Sequence, residues 1–396
     1  MKKLLSTPSM KKAIYNYITR QDHVSKAELQ QLFHTNSSGL TRLLDDLVSE
    51  GYIVESGFGQ STGGRRPILY QVNPHYGYIL GMEISRTHSS LGLFNMKLEP
   101  LSLTHWNMDE TMTPMALIQH TQQVVQTFIA RHNINKELLL GIGVGTVGPI
   151  DRANGIILNP RYFHAEGWNN VPLQDLMGEA LGLNVLIENG ANTALLGEHW
   201  HEREDNVQHM LYVHVGTGLR SAMMSNGNIV HGAIDMEEAI GQMIIQVDGP
   251  RLHESGNYGA LEAFASIQAL EKQVRAQLKM GRKLFTQQEQ PEHIDFQLLL
   301  QHLAEGNPYI HELFEQAATY MGIGLANLIN ILHPEKIVLG GALMNSNELF
   351  YETTLSSAQK NICSTSHYQP VFSRGKLREH AVAAGAAAMI YHALPI

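Results

Sequence analysis

A single cysteine, Cys363, is present in the 396 residues. One thiol builds neither a disulfide framework nor a cysteine-rich zinc site, and it fits a reducing, cytoplasmic setting. No apolar run approaches about 18 residues, the length a spanning helix needs, so no membrane segment is expected. The basic start MKKLLSTPSMKKAIYNYI is interrupted by Lys11 and Lys12. It reads as the approach to a helix and not as a secretory leader. Only 16% of residues are charged against 43% hydrophobic, which is ordinary for a soluble globular protein. The length suffices for two or three domains with buried cores.

Charge is distributed unevenly. Residues 1–73 hold nine Lys/Arg against six acids, a balance of +3, while the whole chain is −9. A basic N-terminal module on an acidic body suggests that the module alone meets a polyanion. Three helices are expected within it. The first covers residues 10–20, with Ile14, Tyr17 and Ile18 on one stripe. The second opens on the capping-box pattern Ser25-x-x-Glu28. The third starts near Asn36 and places Leu40, Leu43, Leu44, Leu47 and Val48 on a narrow buried face, and Gly51 stops it. Next comes GFGQSTGGRRP at residues 57–67, a glycine-rich basic loop between two strand-like runs, Tyr52-Ile53-Val54 and Ile68-Leu69-Tyr70.

Helix, short helix, polar turn, helix and a two-stranded wing is the order of a winged helix-turn-helix. In that geometry the third helix faces the major groove, presenting Asn36, Ser37, Ser38, Thr41 and Arg42. Each alone reads as solvated surface; order and spacing together carry the assignment. Arginine pairs bidentately with guanine or binds phosphate, which favours Arg42. Arg65 and Arg66 suit a groove or backbone contact, since glycines surround them and nothing apolar anchors the loop.

From Tyr76 onward strands alternate with helices. Strands are expected at residues 78–84, 90–94, 138–147, 184–188, 211–215 and 337–341, with a helix at 191–200 and an alanine-rich amphipathic helix at 381–392. Two βββαβα-like repeats with Gly/Thr turns point to an α/β body of the actin and hexokinase type.

Several motifs in the same order resemble the ROK family (repressors, open reading frames and kinases), in its transcriptional-repressor branch. They are GFGQSTGGRRP in the wing, GIGVGTVGPID at 141–151, GWNNVPLQDLMGEALGLNVLIENGANTALLGE at 167–198 and NILHPEKIVLGGAL at 330–343. The resemblance covers nearly the whole chain. It implies a winged helix-turn-helix over 1–74 and a two-lobed body over 75–396. The small lobe would span about 75–190 plus the last helix at 379–396, and the large lobe about 191–378.

Departures from the family pattern bear on activity. The kinases' DxGGT phosphate loop is here Glu83-Ile84-Ser85-Arg86-Thr87, and their END, whose aspartate is the catalytic base, is Glu188-Asn189-Gly190. Glycine accepts no proton from a sugar hydroxyl. After Gly216-Thr217-Gly218 the chain continues Leu219-Arg220-Ser221 where kinases keep glycines. The implied zinc set, one histidine and three cysteines, falls on Gln242, His253, Ser255 and Ala260, so no metal is expected. The pair His199-x-His201 reads as surface histidine, because i and i+2 face different ways on a helix. The sugar contacts that the resemblance implies fall on Asn189, Glu238, Gln242 and Glu262. Glu262 reads equally well as a carboxylate at the start of a helix.

The expectation is a cytoplasmic repressor, not an enzyme and without cofactor. It binds a double-stranded DNA operator as a homodimer or homotetramer and takes a sugar or sugar-derivative effector. Two alternatives stand beside it. One is a sugar kinase with an accessory DNA-binding module, needing a substitute base at Glu188 or Glu83. The other is a repressor governed by a protein partner.

Overall fold

The computed structural model describes residues 9–60, 66–202, 206–285, 289–363 and 368–396. Helix Met10–Arg20 is capped by Ser9, whose hydroxyl accepts from the Lys12 amide at 3.1 Å. Helix Lys26–Phe33 is capped by Ser25. The expected box is only half made there: the Glu28 amide donates to Ser25 at 3.3 Å, while the Glu28 carboxylate turns to the Tyr17 hydroxyl at 3.1 Å.

The third helix, Ser37–Ser49, begins at Asn36, whose side chain accepts from the Gly39 amide at 2.7 Å. It ends in a paired-carbonyl stop. Gly51, at φ 82, donates to Val48 and Tyr52 donates to Leu47, both at 3.0 Å. Leu40, Leu44 and Leu47 are buried as expected, but Leu43 is only half-buried and Val48 is exposed. The helix meets its module along a narrower stripe than the periodicity suggests. Strands Ile53–Phe58 and Ile68–Val72 pair antiparallel, with a bulge between Glu55 and Gly57, and Val24–Ser25 joins the outer edge of the second.

The body holds two five-stranded sheets. In the first, Val185–Asn189, Leu139–Thr146 and Tyr78–Ile84 run parallel, and His88–Phe94 and Pro100–Asn107 continue antiparallel. Helices Pro114–His132 and Leu173–Leu181 cover one face through Leu117, Val125, Phe128 and Met177. The second sheet runs in the order Asn228–Ile229, Leu219–Ser225, Met210–Val215, Lys336–Gly340, Val371–Ser373. Helix Pro308–Leu332 shares its main core.

Between the sheets lie two inner helices, Gly190–His201 and Ala381–His392, packed on one another. Their contact is main chain on main chain. A Cβ added at Gly385 would stand 1.7 Å from the Thr193 carbonyl, and one at Gly197 2.3 Å from that of Ala381. The amphipathic expectation for 381–392 fails for this reason. Neighbours surround the helix on most sides and bury Ala381, Ala383, Ala386, Ala387, Ala388, Ile390 and Tyr391.

The N-terminal module does not close a core of its own. Ile14, Tyr15, Leu44 and Tyr52 join one cluster with Phe94, Met96, Tyr391 and Leu394 of the body. Tyr15 stacks on Tyr391 at 5.9 Å between ring centres, and Tyr52 lies 4.5 Å from Tyr76. Lys12 donates to the carbonyls of His392 at 3.0 Å and Leu394 at 2.9 Å. A cation there complements the carbonyl end of the last helix. Among the described residues, no helix is long and apolar enough to cross a membrane.

Candidate nucleic-acid interface and interlobe cleft

The exposed N-terminal turns of helix Ser37–Ser49 carry Ser37, Ser38 and Arg42, with Asn36 just ahead. Asn36 spends its side-chain oxygen on the Gly39 amide and on the Ser38 hydroxyl at 3.2 Å. Thr41 is half-buried; its hydroxyl donates to the Ser37 carbonyl at 2.7 Å and accepts from Lys26. Two of the polar candidates thus brace the helix start, and Arg42 reaches out. Lys26 was not singled out from the sequence, although a lysine opening the preceding helix lies beside the first turns of helix Ser37–Ser49. Asp45 and Asp46 follow on exposed positions. Their charge confines any approach to a polyanion to the first two turns.

At the wing, Arg66 is exposed and Arg65 lies outside the described residues. The Gly59 amide donates to the Pro67 carbonyl at 2.8 Å and closes the ladder at the loop base. Phe58, 65% exposed at the strand end, is a second feature missed in the sequence. An exposed aromatic beside basic loop residues fits a groove edge.

In the body, Asn189 ends a strand and caps the helix Gly190–His201, accepting from the Asn192 amide at 2.8 Å. Its amide donates to Asp235 at 2.6 Å. Gly190 starts the helix, and a Cβ added there would make only an ordinary contact, with the Thr146 carbonyl at 3.6 Å. A side chain would fit; this chain supplies none.

Glu188 is not a substitute base. Burial would raise its pKa, but hydrogen bonds from His231 and Arg152 hold it down at about 2. Arg152 binds it bidentately at 2.6 Å on both arms, and His231 stands at 2.9 Å. A carboxylate so held stays ionised and is a poor proton acceptor. Glu83 keeps an ion-pair contact to His88 at 3.5 Å.

Two carboxylates not anticipated from the sequence bond the residues on either side of Gly190. Asp235 accepts from the Ile150 amide at 3.1 Å. Glu237 accepts from the amides of Gly148 at 3.0 Å and Ala191 at 3.1 Å, with Arg220 at 3.3 Å. Burial raises the pKa of both. Their signal in the sequence is the run Asp235-Met236-Glu237-Glu238, three acids directly ahead of Ala239-Ile240-Gly241-Gln242.

Glu238 stands at the cleft mouth and binds Arg86 at 2.8 Å. The first phosphate-loop position is therefore bridged to the opposite lobe by an arginine. Gln242 donates to Glu262 at 3.4 Å and accepts from the Asn257 amide at 2.9 Å. At Gln242, one of the four positions of the implied zinc set, amide hydrogen bonds thus tie the loop. Glu262 accepts from the Leu219 amide at 3.2 Å, and burial raises its pKa. The helix expected behind it breaks at Ser266, and the long helix starts at Ile267. This weakens a macrodipole role for Glu262 and leaves it facing the cleft. His199 is half-buried and bonded to the Val207 carbonyl at 2.9 Å, a correction to the surface reading, while His201 is exposed.

Comparison with known proteins agrees with this geometry. The xylose repressor of Caldicellulosiruptor bescii is 30% identical over 369 residues, covering 93% of this chain and 91% of its own length. A crystal structure of a ROK family transcriptional regulator, a homologue of the E. coli MLC protein, superposes with a TM-score of 0.79 at 22% identity, covering 97% of this chain and 95% of the other. The ROK hexokinase from Thermus thermophilus matches with a TM-score of 0.65 at 26% identity, over 80% of this chain and 98% of that one. The body is thus a two-lobed, hexokinase-like α/β fold. The ROK family profile matches residues 79–393, and the chain belongs to the ROK family.

Proposed function

We propose that this protein is a transcriptional repressor of carbohydrate-related genes that grips operator DNA through its N-terminal module. The observation that carries the reading is the extent of the likeness to a xylose repressor, which runs through the module and the body together. Arg42 reads a base edge from the major groove, and Arg65 and Arg66 hold phosphate or minor groove from the wing. Two copies place two modules on half-sites about one helical turn or a multiple apart. A sugar or sugar derivative in the cleft near Glu238, Gln242 and Glu262 favours one lobe angle and so one spacing of the modules. That coupling requires differential affinity for the two states. Arg86 and Gly190, at the phosphate-loop and base positions, argue against phosphoryl transfer.

The test is retention of genomic fragments by the purified chain at low ionic strength. Arg65→Ala with Arg66→Ala should weaken retention and flatten the salt slope by about two. Equal binding of wild type and double variant at every salt concentration would remove the wing from this reading.

One observation favours a second reading. Asp235, its pKa raised by burial, accepts from the side chain of Asn189, the neighbour of Gly190 in the chain, and is a candidate base for a kinase. Sugar-dependent ATP consumption abolished in Asp235→Asn would establish that activity. No ATP consumption with any sugar would exclude it.

A further inference from the structure

In the cleft an inner set of amides is already bonded to carboxylates, and an open cavity lies outside it. In the inner part, main-chain amides of Gly148, Ile150 and Ala191 and the Asn189 amide point where a polyhydroxy ligand would bond them. Asp235 and Glu237 already accept all four. The outer part is a cavity of about 360 Å³ bounded by Asn159, Arg161, Glu238 and Gln242, and the inner carboxylates Asp235 and Glu237 line its inner wall. It adjoins a smaller one that Arg86 and Glu262 also line. A monosaccharide fits the larger space.

Where the two cavities adjoin, Arg86 and Glu238 form an exchangeable ion pair. The Arg86 side chain is only 11% exposed and is held by its bond to the Arg161 carbonyl at 2.8 Å. A buried guanidinium needs an anion, because its desolvation is otherwise uncompensated. Glu238 supplies that anion from a side chain 42% exposed, at the rim, able to swing into water. Any occupant that displaces Glu238 has to replace its charge. Arg161, exposed at the same mouth, offers a second guanidinium to the incoming group, and carboxylates suit such forks.

We infer that the outer cleft binds a sugar acid, a polyhydroxy carbon chain whose carboxylate takes the place of Glu238 on Arg86 and pairs with Arg161. Asn159, Gln242 and Glu262 meet the hydroxyls. Neutral sugars lack the compensating charge. Phosphorylated sugars bring a dianion toward both Glu238 and Glu262, where a carboxylate exchanges one charge for one. The inference rests on the effector reading above and names the chemical class of that effector.

Calorimetric titration of the full chain with glucuronate, gluconate and xylonate tests it, with glucose and glucose 6-phosphate as contrasts. At least one sugar acid should bind at least about tenfold more tightly than glucose. Arg161→Gln should weaken that binding about tenfold, and Arg86→Gln at least as much. Glu238→Gln should tighten it several-fold, since the internal competitor loses its charge. This opposite sign separates ligand exchange from general damage, and exposed Arg161 serves if Arg86→Gln misfolds. Absence of heat from all three acids overturns the inference, as do tighter binding of glucose or of glucose 6-phosphate and weaker binding by Glu238→Gln. DNA retention by the same preparation is scored separately. Retained DNA without sugar-acid binding sinks the ligand assignment alone, whereas wild type that retains no DNA sinks the repressor reading whatever the titration shows.

Discussion

Arg152 and Glu188 form the most tightly determined pair in the cleft, joined by two bonds of 2.6 Å with Glu188 almost wholly buried. Removing one partner leaves a buried charge, so Arg152→Ala should cost about 3 kcal/mol at neutral pH. The pH dependence follows from the direction of the shift. Glu188 moves from the ordinary 4.5 down to about 2 in the folded state. Its contribution is therefore complete above about 4.5 and is lost as pH falls toward 2. The stability difference between wild type and Arg152→Ala, from urea unfolding, should shrink between pH 4.5 and pH 3. A difference that stays constant over that interval would show that the pair adds no net ionic stabilisation. At this scale the sequence revealed what was missing more readily than what replaced it. Gly190 and Arg86 stand inside recognisable motifs and are legible by position. The acidic run holding Asp235 and Glu237 is visible, but its role was not, because three of the amides the two acids accept from are main-chain groups at 148, 150 and 191, far away in the sequence.

Helix Ser37–Ser49 shows what an element's periodicity conveys and omits. Its start at Asn36, its stop at Gly51 and its stripe of Leu40, Leu44 and Leu47 were legible, because caps and 3.6-residue spacing are local properties. The exposure of Val48 was not, since the width of a buried face depends on what lies opposite. For the same reason the last helix, read as amphipathic, is enclosed: its neighbours come from residues far away in the chain. Function on helix Ser37–Ser49, the proposed recognition helix, divides by the same logic. Arg42 is exposed, and Lys26 reaches Thr41 from the preceding helix. Arg42→Ala should relax the preferred base at one position by about 1–3 kcal/mol. Lys26→Ala should weaken all sequences evenly and lower the salt slope by about one. Selection of bound sequences from a random pool, with binding measured across salt, distinguishes the two. An unchanged selected motif for Arg42→Ala would count against the recognition-helix assignment.

Across the whole molecule, the two inner helices run from the cleft to the N-terminal module. Asn189 and Gly190 begin one at the cleft, and its far end brings Trp200 to 4.7 Å from Tyr391. Tyr391 in turn stacks on Tyr15 of the module. Because the glycine seam sets carbonyl against backbone, the pair cannot slide without breaking its packing, and it should transmit displacement as a rigid unit. Because the module borrows its core from Tyr391 and Leu394, it should not unfold before the body in the wild-type protein. Tyr391→Ala removes a fully buried ring, a loss of about 3–5 kcal/mol as for other large aromatic truncations. Most of that loss should fall at the junction, where Tyr15, Tyr52 and Tyr76 would lose their support. Heating Tyr391→Ala while following DNA retention and helical circular dichroism together should reveal two steps, with DNA binding lost first. In wild type the two signals should fall together. If retention and helicity still decline in one shared transition in Tyr391→Ala, merely at lower temperature, the module is held by more than this ring cluster, and the aromatic junction is not the hinge between ligand and DNA.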